Sequence, residues 1–550
     1  MSFALFVLAS CAIAVATVVS ARALRGRPGL AVLAAFAGAT GLVLVHGPLY
    51  FDYYADDSFI TLRYAKHLAE GLGPNWNSDG RVEGYTTFLW MGTLGGFAKL
   101  GADLVQVSRL LGFFAIVATF FGVYKIWQLW GDDEPGGALQ SPVLLAAVLL
   151  GLALTDGVAF WGFSGMETPL FMALLTIGAY LHFRERRGSA VPWSAFVFAA
   201  AAMTRPEGLI AAGVTVAFVA SELATAHDRR TALRRLALWA GVFVALYGTY
   251  FIWRFSYYGY LLPNTYYAKV GLNLDALDRG LRYLSTSGLQ YHLGVLFVGA
   301  ALLFADVRRR PEAAYVVALC GVLLAAVALE GGDTHGRFIV PLLPLLLLAG
   351  LAGFAMLLER AKLQPAHALV ITTAALSFGG LALLPASDDP VVRLWPRALE
   401  ERRELGVWLN DNTPADFTIA DFAVGATAYY ASDRDVLDLL GLNDVVIAHT
   451  DVPDMGKGIV GHERYNADYV FDEVRPEIVV LGQPYTRPLT KEELQEGVRK
   501  TSLFAASYVI LTDARLWESY EVRALFTGGR WVHFMQLQET VAQLQGPRLH

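Results

Sequence analysis

The sequence predicts a polytopic α-helical membrane protein that carries a soluble α/β domain at its carboxyl end. Three observations predict it. Apolar residues make up 55% of the 550-residue chain and charged residues only 17%, against about a quarter charged in soluble domains. The apolar residues fall into repeated runs, several long enough to cross a bilayer, which takes roughly 20 residues per helix. Beyond about residue 386 these runs stop, charge rises, and short alternating patterns take over.

Candidate spans lie near 2–21, 29–49, 104–130, 142–155, 169–183, 191–204, 208–224, 235–253, 290–305, 312–329, 338–358 and 366–384. They predict about 11–13 transmembrane helices in a membrane domain of 1–385. The first run has the look of a secretory signal, yet a second follows after a short basic loop with no small-residue cleavage site, so it reads as a retained span. Arg22, Arg25 and Arg27 follow the first run; Arg184, Arg186 and Arg187 the fifth; Arg229, Arg230, Arg234 and Arg235 border the seventh and eighth. Arg308, Arg309 and Arg310 follow the ninth, and Arg360 with Lys362 the eleventh. Placing every one of these on the cytoplasmic side, as positive charge requires, lets all spans alternate. The apolar stretch 86–100 breaks that alternation if counted, so it is expected to lie in the outer interface as a juxtamembrane helix within a long outer loop, 50–103. Five polar loops then share the outer face: Asp56-Asp57, the GFSGMET loop at 162–168, Thr204-Arg205-Pro206-Glu207, 254–269 and 330–337.

The tail 386–550 is long enough for an independent domain, and the alternation places it on the same outer face. FTIADFAVGATAYY, PEIVVLG, SYVILTD and WVHFMQL read as short strands between helices. No internal repeat of the kind that marks transporter folds is visible. A net charge of −6 with no basic stripe or zinc spacing excludes a nucleic-acid partner. Cys11 and Cys320 both sit in apolar runs and make no disulfide framework. There is no P-loop, no GxGxxG after a strand, no HExxH and no GxSxG, so neither a nucleotide cofactor nor a nucleotide-driven engine is expected.

The stretch around Asp56 and Asp57 carries the chemistry. Carboxylates at a membrane border are a functional hypothesis by default. Neighbouring residues point different ways, so the two acids are expected to hold different roles; a plain helix N-cap before FITLRYAKHLAEGLG is the structural alternative. Glu167, a lone acid between two spans, is a second candidate carboxylate or a residue favouring the next helix through its dipole. Arg205 suits a phosphate or a sugar, or pairs with Glu207 across a Pro206 kink. The loop 254–269 combines Asn264, Tyr266 and Lys269 with further tyrosines, the composition of a sugar-stacking site or of an aromatic belt. EGGDTHGRF at 330–338 sets Asp333, His335 and Arg337 among three glycines that let backbone approach a ligand; Arg337 can grip phosphate bidentately. Acid plus histidine also admits a divalent cation, without a strong metal-site spacing.

Through ADDSFITLRYAKHLAEGLGPNWN, RVEGYTTFLW, GMET and TRPEG, most of residues 45–340 resemble the GT-C superfamily of polyprenyl-phosphate-sugar glycosyltransferases. Within it they look most like the actinobacterial terminal β-(1→2)-arabinofuranosyltransferases. The resemblance implies a GT-C-like fold, a polyprenyl-phosphate arabinofuranose donor, a cell-envelope glycan acceptor and a site on the outer face of the bacterial inner membrane. It puts Asp56 at the acceptor hydroxyl and Asp57 at the donor phosphate, alone or through a divalent cation (Mg, Mn or Ca) shared with Asp333, with Glu167 as a third catalytic acid. Arg63, Arg205, Lys269, His335 and Arg337 would hold the donor phosphate, and Glu83, Tyr85, Asn264 and Tyr266 would line the sugar. If donor and product are both β-linked, configuration is retained; a covalent intermediate and a front-face route both satisfy that. Transfer of another sugar to lipid A, protein or a polysaccharide is the alternative reading, and transport a third.

Overall fold

The computed structural model describes residues 3–133, 137–188, 191–226, 228–271, 273–363, 390–453, 455–501 and 504–544. The chain is a polytopic helical membrane protein with a strand-containing carboxyl-terminal part. Among the described residues seven helices are long and apolar enough to cross a membrane, or nine if two bent pairs each count as one span. Helices α1 (Phe3–Ala23) and α2 (Pro28–His46) form an amino-terminal hairpin, followed by the outer-loop helices α3 (Asp56–Glu70) and α4 (Phe88–Lys99). The bundle continues with α5 (Leu104–Asp132), α6 (Pro142–Leu154), α7 (Asp156–Phe163), α8 (Thr168–Arg186), α9 (Trp193–Thr204) and α10 (Glu207–Thr225). It closes with α11 (Arg229–Phe243), α12 (Thr249–Tyr258), α13 (Asn264–Lys269), α14 (Leu274–Gln290), α15 (Leu293–Leu302), α16 (Arg310–Glu330) and α17 (Leu343–Arg360).

Helices α6 and α7 bend by 58° at Thr155, and α14 and α15, with the turn after it, by 73° at Tyr291-His292. The expected spans at 142–155 and 290–305 are therefore arms of broken helices. The expected span 366–384 and the domain boundary at 385–386 lie outside the described residues. Helix α17 forms the centre of the bundle, 89% of its apolar window being buried. It meets α15 at small residues: a Cβ on Gly353 would fall 1.9 Å from the carbonyl oxygen of Gly299, the close approach that small residues permit between spans.

The two ends of the bundle differ in charge chemistry. At one end Arg187 and Arg309 share Asp133 at 2.6 and 2.7 Å, Arg187 also reaches Glu312 at 2.9 Å, and Arg235 pairs with Glu222 at 2.9 Å. These are the basic loops assigned to one side by sequence. The five polar loops meet at the other end. The stretch 86–100 forms α4, 12 residues long and too short to cross about 30 Å of hydrocarbon; it packs on α3, with Trp90 Nε1 donating to the Gly165 carbonyl at 3.0 Å.

The carboxyl-terminal part begins with a helix, Pro390–Asn412, and builds one five-stranded sheet in the order β2-β1-β3-β5-β4. Its strands are β1 (Thr418–Asp421), β2 (Asp435–Asp438), β3 (Ile478–Tyr485), β4 (Tyr520–Thr527) and β5 (Arg530–Leu537). β2, β1 and β3 run parallel, and β5 and β4 add as an antiparallel hairpin. Gly528 and Gly529 close that hairpin with φ of 58° and 77°, the left-handed pair a two-residue type I′ turn requires.

Two expected strands are corrected: FTIADFAVGATAYY is a strand only over Thr418–Asp421 and turns into the helix Val424–Tyr430, and the other is no strand at all. SYVILTD lies in the helix Ala505–Thr512. Its buried positions, Ala506, Ser507, Ile510 and Leu511, follow a helical period, which a seven-residue apolar run conceals. Nor does this part pack alone. One hydrophobic core contains Tyr54, Phe59, Leu62, Tyr64, Trp76, Tyr85 and Trp90 of the outer loop together with Leu405, Phe417, Ile419, Ala428, Ile478 and Phe534.

Candidate active cleft

Helix α3 begins where Ala55 is extended, with the Ala55 N–H and the Ser58 hydroxyl both donating to the Ser164 carbonyl, at 3.0 and 2.9 Å. That pins its first turn to the GFSGMET loop. Successive side chains on a helix diverge, and the two aspartates part accordingly. Asp56 turns toward the carboxyl-terminal domain. Its carboxylate accepts the backbone N–H groups of Gly425 and Ala426, at 3.0 and 2.8 Å, at the start of the helix Val424–Tyr430. A Cβ on Gly425 would lie 2.0 Å from the Asp56 carbonyl oxygen, so only glycine admits this contact. Burial pushes the Asp56 carboxyl up, more than Arg402 and the two amides pull it down.

Asp57 turns into the cleft, its side chain 45% exposed, with Oδ2 3.8 Å from Lys269 Nζ and 3.9 Å from Arg337 Nη1. Burial opposes its charge, but Lys269 and Arg337 outweigh it and hold this carboxyl below its ordinary value. Arg337 also pairs with Asp333 and Glu167, each at 3.2 Å. Glu167 in turn pairs with Arg205 at 2.5 Å, and Arg205 with Glu207 at 2.6 Å. Glu167 is 1% exposed; burial again opposes its charge, and Arg337 and Arg205 bring its pKa down. Four of the five polar loops thus meet in one alternating chain of charge, Asp57–Arg337–Glu167–Arg205–Glu207, and the fifth reaches it through Lys269. Tyr266 is three residues before Lys269 on α13 and shares its face.

Other expected site residues are placed elsewhere. Arg63 is 1% exposed. Its guanidinium donates to the carbonyls of Trp76 at 2.9 Å, Arg434 at 2.7 Å, and Ala428. Every nitrogen is held by backbone, so it does not serve a phosphate. Asn264 donates its amide to the carbonyls of Gly441, Leu442 and Asp444 at 2.8–3.1 Å, which makes it a tie to the carboxyl-terminal domain rather than a sugar ligand. Glu83 is buried in an ion pair with Arg254 at 2.6 Å, and Tyr85 is buried with its hydroxyl 3.0 Å from that of Tyr258. His335 stacks on Phe160, ring centroids 4.9 Å apart, at the foot of the loop.

The residues do not fit a divalent cation. Among the described residues no three His, Cys, Asp or Glu side chains form a group that could hold a metal. Asp57 and Asp333 converge on the guanidinium of Arg337 with Lys269 nearby, so a cation there meets like charge.

Sequence reasoning overlooked the loop 455–464. A Cβ on its Gly461 would lie 3.2 Å from Lys269 Cε, and Glu463 pairs with Arg279 of α14 at 3.1 Å. Its motif, GKGIVGHER, sets unlike polar groups among glycines just as EGGDTHGRF does, and that signal was available.

The chain is 28% identical over 277 residues to the terminal β-(1→2)-arabinofuranosyltransferase of Mycobacterium tuberculosis (strain ATCC 25618 / H37Rv). The match covers 47% of this chain and 42% of that protein, so the chain spans less than half the length of the curated relative it matches. Residues 394–535 match a domain of unknown function (DUF8728). In three dimensions the chain is similar to ArnT from Cupriavidus metallidurans in the apo state, with a TM-score of 0.53 and 13% identity over 94% of this chain and 99% of that one. The same enzyme bound to undecaprenyl phosphate gives a TM-score of 0.54 at 13% identity, over 92% and 98%. The oligosaccharyltransferase AglB from Archaeoglobus fulgidus, in complex with an inhibitory peptide and a dolichol-phosphate, gives 0.51 at 11% identity, over 93% and 74%. At such identities the shared property is the fold, and it is the GT-C-like architecture expected from the outer-loop motifs.

Proposed function

We propose that this protein is a membrane glycosyltransferase that moves a sugar, arabinofuranose in the first instance, from a polyprenyl phosphate to a cell-envelope glycan on the outer face of the bacterial inner membrane. The observation that carries this reading is the placement of Asp57, partly open, between Lys269 and Arg337 at one end of a membrane bundle. Transfer makes two demands. The departing polyprenyl phosphate gains negative charge, which positioned cations stabilise, and the acceptor hydroxyl must lose a proton to a base within reach. Lys269 and Arg337 meet the first demand, and Asp57, ionised at neutral pH, meets the second. Glu167, itself paired with Arg205, holds Arg337 in place, and Tyr266 flanks the sugar. Asp56, assigned to the acceptor by the family resemblance, is committed to Gly425 and Ala426, so the reacting role passes to Asp57. Relatives that carry lipid phosphates in their solved structures support a donor of this class.

The test is transfer in proteoliposomes from isotope-labelled polyprenyl-phosphate arabinofuranose, with polyprenyl-phosphate hexose and aminoarabinose in parallel, onto an arabinan oligosaccharide. Consumption of the arabinofuranose donor alone is expected. Turnover of a different donor would reassign the sugar, and turnover of none would overturn the reading.

A further inference from the structure

The carboxyl-terminal domain lies directly on the cleft. Its loop 455–464 is stitched to the membrane part at four points. Gly461 packs on the stem of Lys269, and Asn273 donates to the Met455 carbonyl at 2.6 Å. Arg464 donates to the Tyr267 carbonyl at 3.0 Å, and Glu463 pairs with Arg279 while accepting the N–H groups of Gly456 and Gly458 at 2.8 and 2.7 Å. This fixed loop carries His462. The imidazole is wedged against Phe504, ring centroids 4.4 Å apart, and its Nδ1 lies 3.0 Å from the Val460 carbonyl. With Nδ1–H given to that carbonyl, Nε2 carries the titrating lone pair. The charged groups within electrostatic reach of the ring are Asp57 of α3, Lys269 of α13 and Asp333 of the 330–337 loop. Glu463 and Arg464, its sequence neighbours, are committed to the contacts just named.

We propose that His462 makes the carboxyl-terminal domain part of the transfer site, as a positioning residue whose charge state sets both the basicity of Asp57 and the attraction of the Lys269–Arg337 pair for the donor phosphate. The proposal rests on the glycosyltransferase reading above. Burial lowers the proton affinity of His462, more than the Val460 carbonyl and Asp57 raise it, so the ring is neutral at neutral pH and gains its charge only on acidification. The coupling is reciprocal: a proton on His462 lowers the proton affinity of Asp57 just as ionised Asp57 raises that of His462. Protonated His462 adds a third positive charge beside the donor phosphate and weakens Asp57 as a base. Acidification therefore lowers donor KM and kcat together; a purely structural histidine produces neither change, and protonation of Asp57, which would produce both, persists in His462→Gln and is separated by that variant.

The test uses the full chain in proteoliposomes. Initial rates give kcat and donor KM between pH 4.5 and 8 for wild type, His462→Gln and His462→Arg, with circular dichroism and thermal melts establishing that each variant folds. His462→Gln is expected to lose the acid-induced fall in KM, and His462→Arg to show low KM and roughly tenfold lower kcat at every pH. Wild-type and His462→Gln profiles that coincide overturn the proposal while leaving the glycosyltransferase reading intact. Undecaprenyl phosphate binding to the same three proteins, followed by calorimetry, supplies a readout without turnover. The phosphate monoester of this ligand titrates at about pH 6 in all three cases, so the readout is the difference between proteins. Binding to wild type that tightens in acid relative to His462→Gln supports the proposal even if no sugar is transferred, and identical pH dependence in all three overturns it.

Discussion

Asp56 and Arg63, two turns apart on α3, hold opposite ends of the same short helix in the carboxyl-terminal domain. Asp56 accepts from the amides of Gly425 and Ala426 at its start, and Arg63 donates to the carbonyls of Ala428 and Arg434 at and beyond its end. The pairing follows the charge preference of helix termini, anion at the amino end and cation at the carboxyl end. The most conspicuous acid and base of the outer loop therefore serve to dock one domain on the other.

The two aspartates separate experimentally. Asp57→Asn removes the base from the cleft while Arg337 keeps Glu167 and Asp333 as partners, and is expected to abolish transfer while leaving the melting transition within a degree or two. Asp56→Asn replaces one of two charged acceptors by a donor, costing about 1–2 kcal/mol. It should expose residues 424–430 to hydrogen exchange while transfer is reduced and not abolished. Loss of all transfer in Asp56→Asn with exchange at 424–430 unchanged would return the reacting role to Asp56.

Arg63→Met keeps the volume of the side chain and leaves buried carbonyls at Trp76, Ala428 and Arg434 without a donor. Each lost charged hydrogen bond is worth roughly 1.5–3 kcal/mol, so undocking of the carboxyl-terminal domain is expected. Limited proteolysis between the two parts reads it directly. Donor KM, in whatever fraction stays folded, is expected to be unchanged; a selective rise in donor KM would restore Arg63 to the phosphate.

These assignments show where the sequence was legible. Spans and their common outer face were readable because hydropathy and loop charge are local properties. The identity of Asp57, Lys269, Arg205, Glu167 and Arg337 as one cluster followed from that common face. What a polar side chain does, by contrast, depends on its partner, and the partner of Arg63 lies 365 residues along the chain. Asn264 was misassigned for the same reason, its carbonyls being 177–180 residues away. The choice between Asp56 and Asp57 needed the position of Gly425, and nothing near α3 records it.

Arg205 and Arg337 touch the same Glu167 oxygen but differ in exposure, 6% against 12% for the side chains, and in what lies beyond them. Arg205→Gln leaves buried Glu207 without its cation and Glu167 with Arg337 alone, and is expected to cost about 3–5 kcal/mol, read as poor recovery of folded protein. Arg337→Gln leaves Glu167 paired with Arg205 and strips the cleft of a phosphate partner. A folded protein with kcat/KM reduced by about 10²–10³ is expected, the loss usual for one transition-state donor. The reverse pattern, an active Arg337→Gln and a folded but inactive Arg205→Gln, would place the phosphate at Arg205.

The carboxyl-terminal domain carries its own acid sensitivity. His533 of β5 is fully buried, accepts the Leu489 N–H at Nε2 at 2.9 Å, and is held by burial at a pKa of about 4 instead of 6.5. A depressed imidazole takes up its proton in the unfolded chain first. The stability it confers is therefore complete above pH 6.5 and is lost as pH falls toward 4, reaching on the order of 3 kcal/mol. His533→Gln keeps an acceptor for the Leu489 amide and cannot be protonated. Hydrogen exchange of β3 and β5 in the full chain at pH 7 and pH 4.5, corrected for intrinsic rates, should show local stability falling in wild type by most of this amount. The fall should be much smaller in His533→Gln. Equal losses in the two proteins would assign the acid sensitivity to other groups of the sheet.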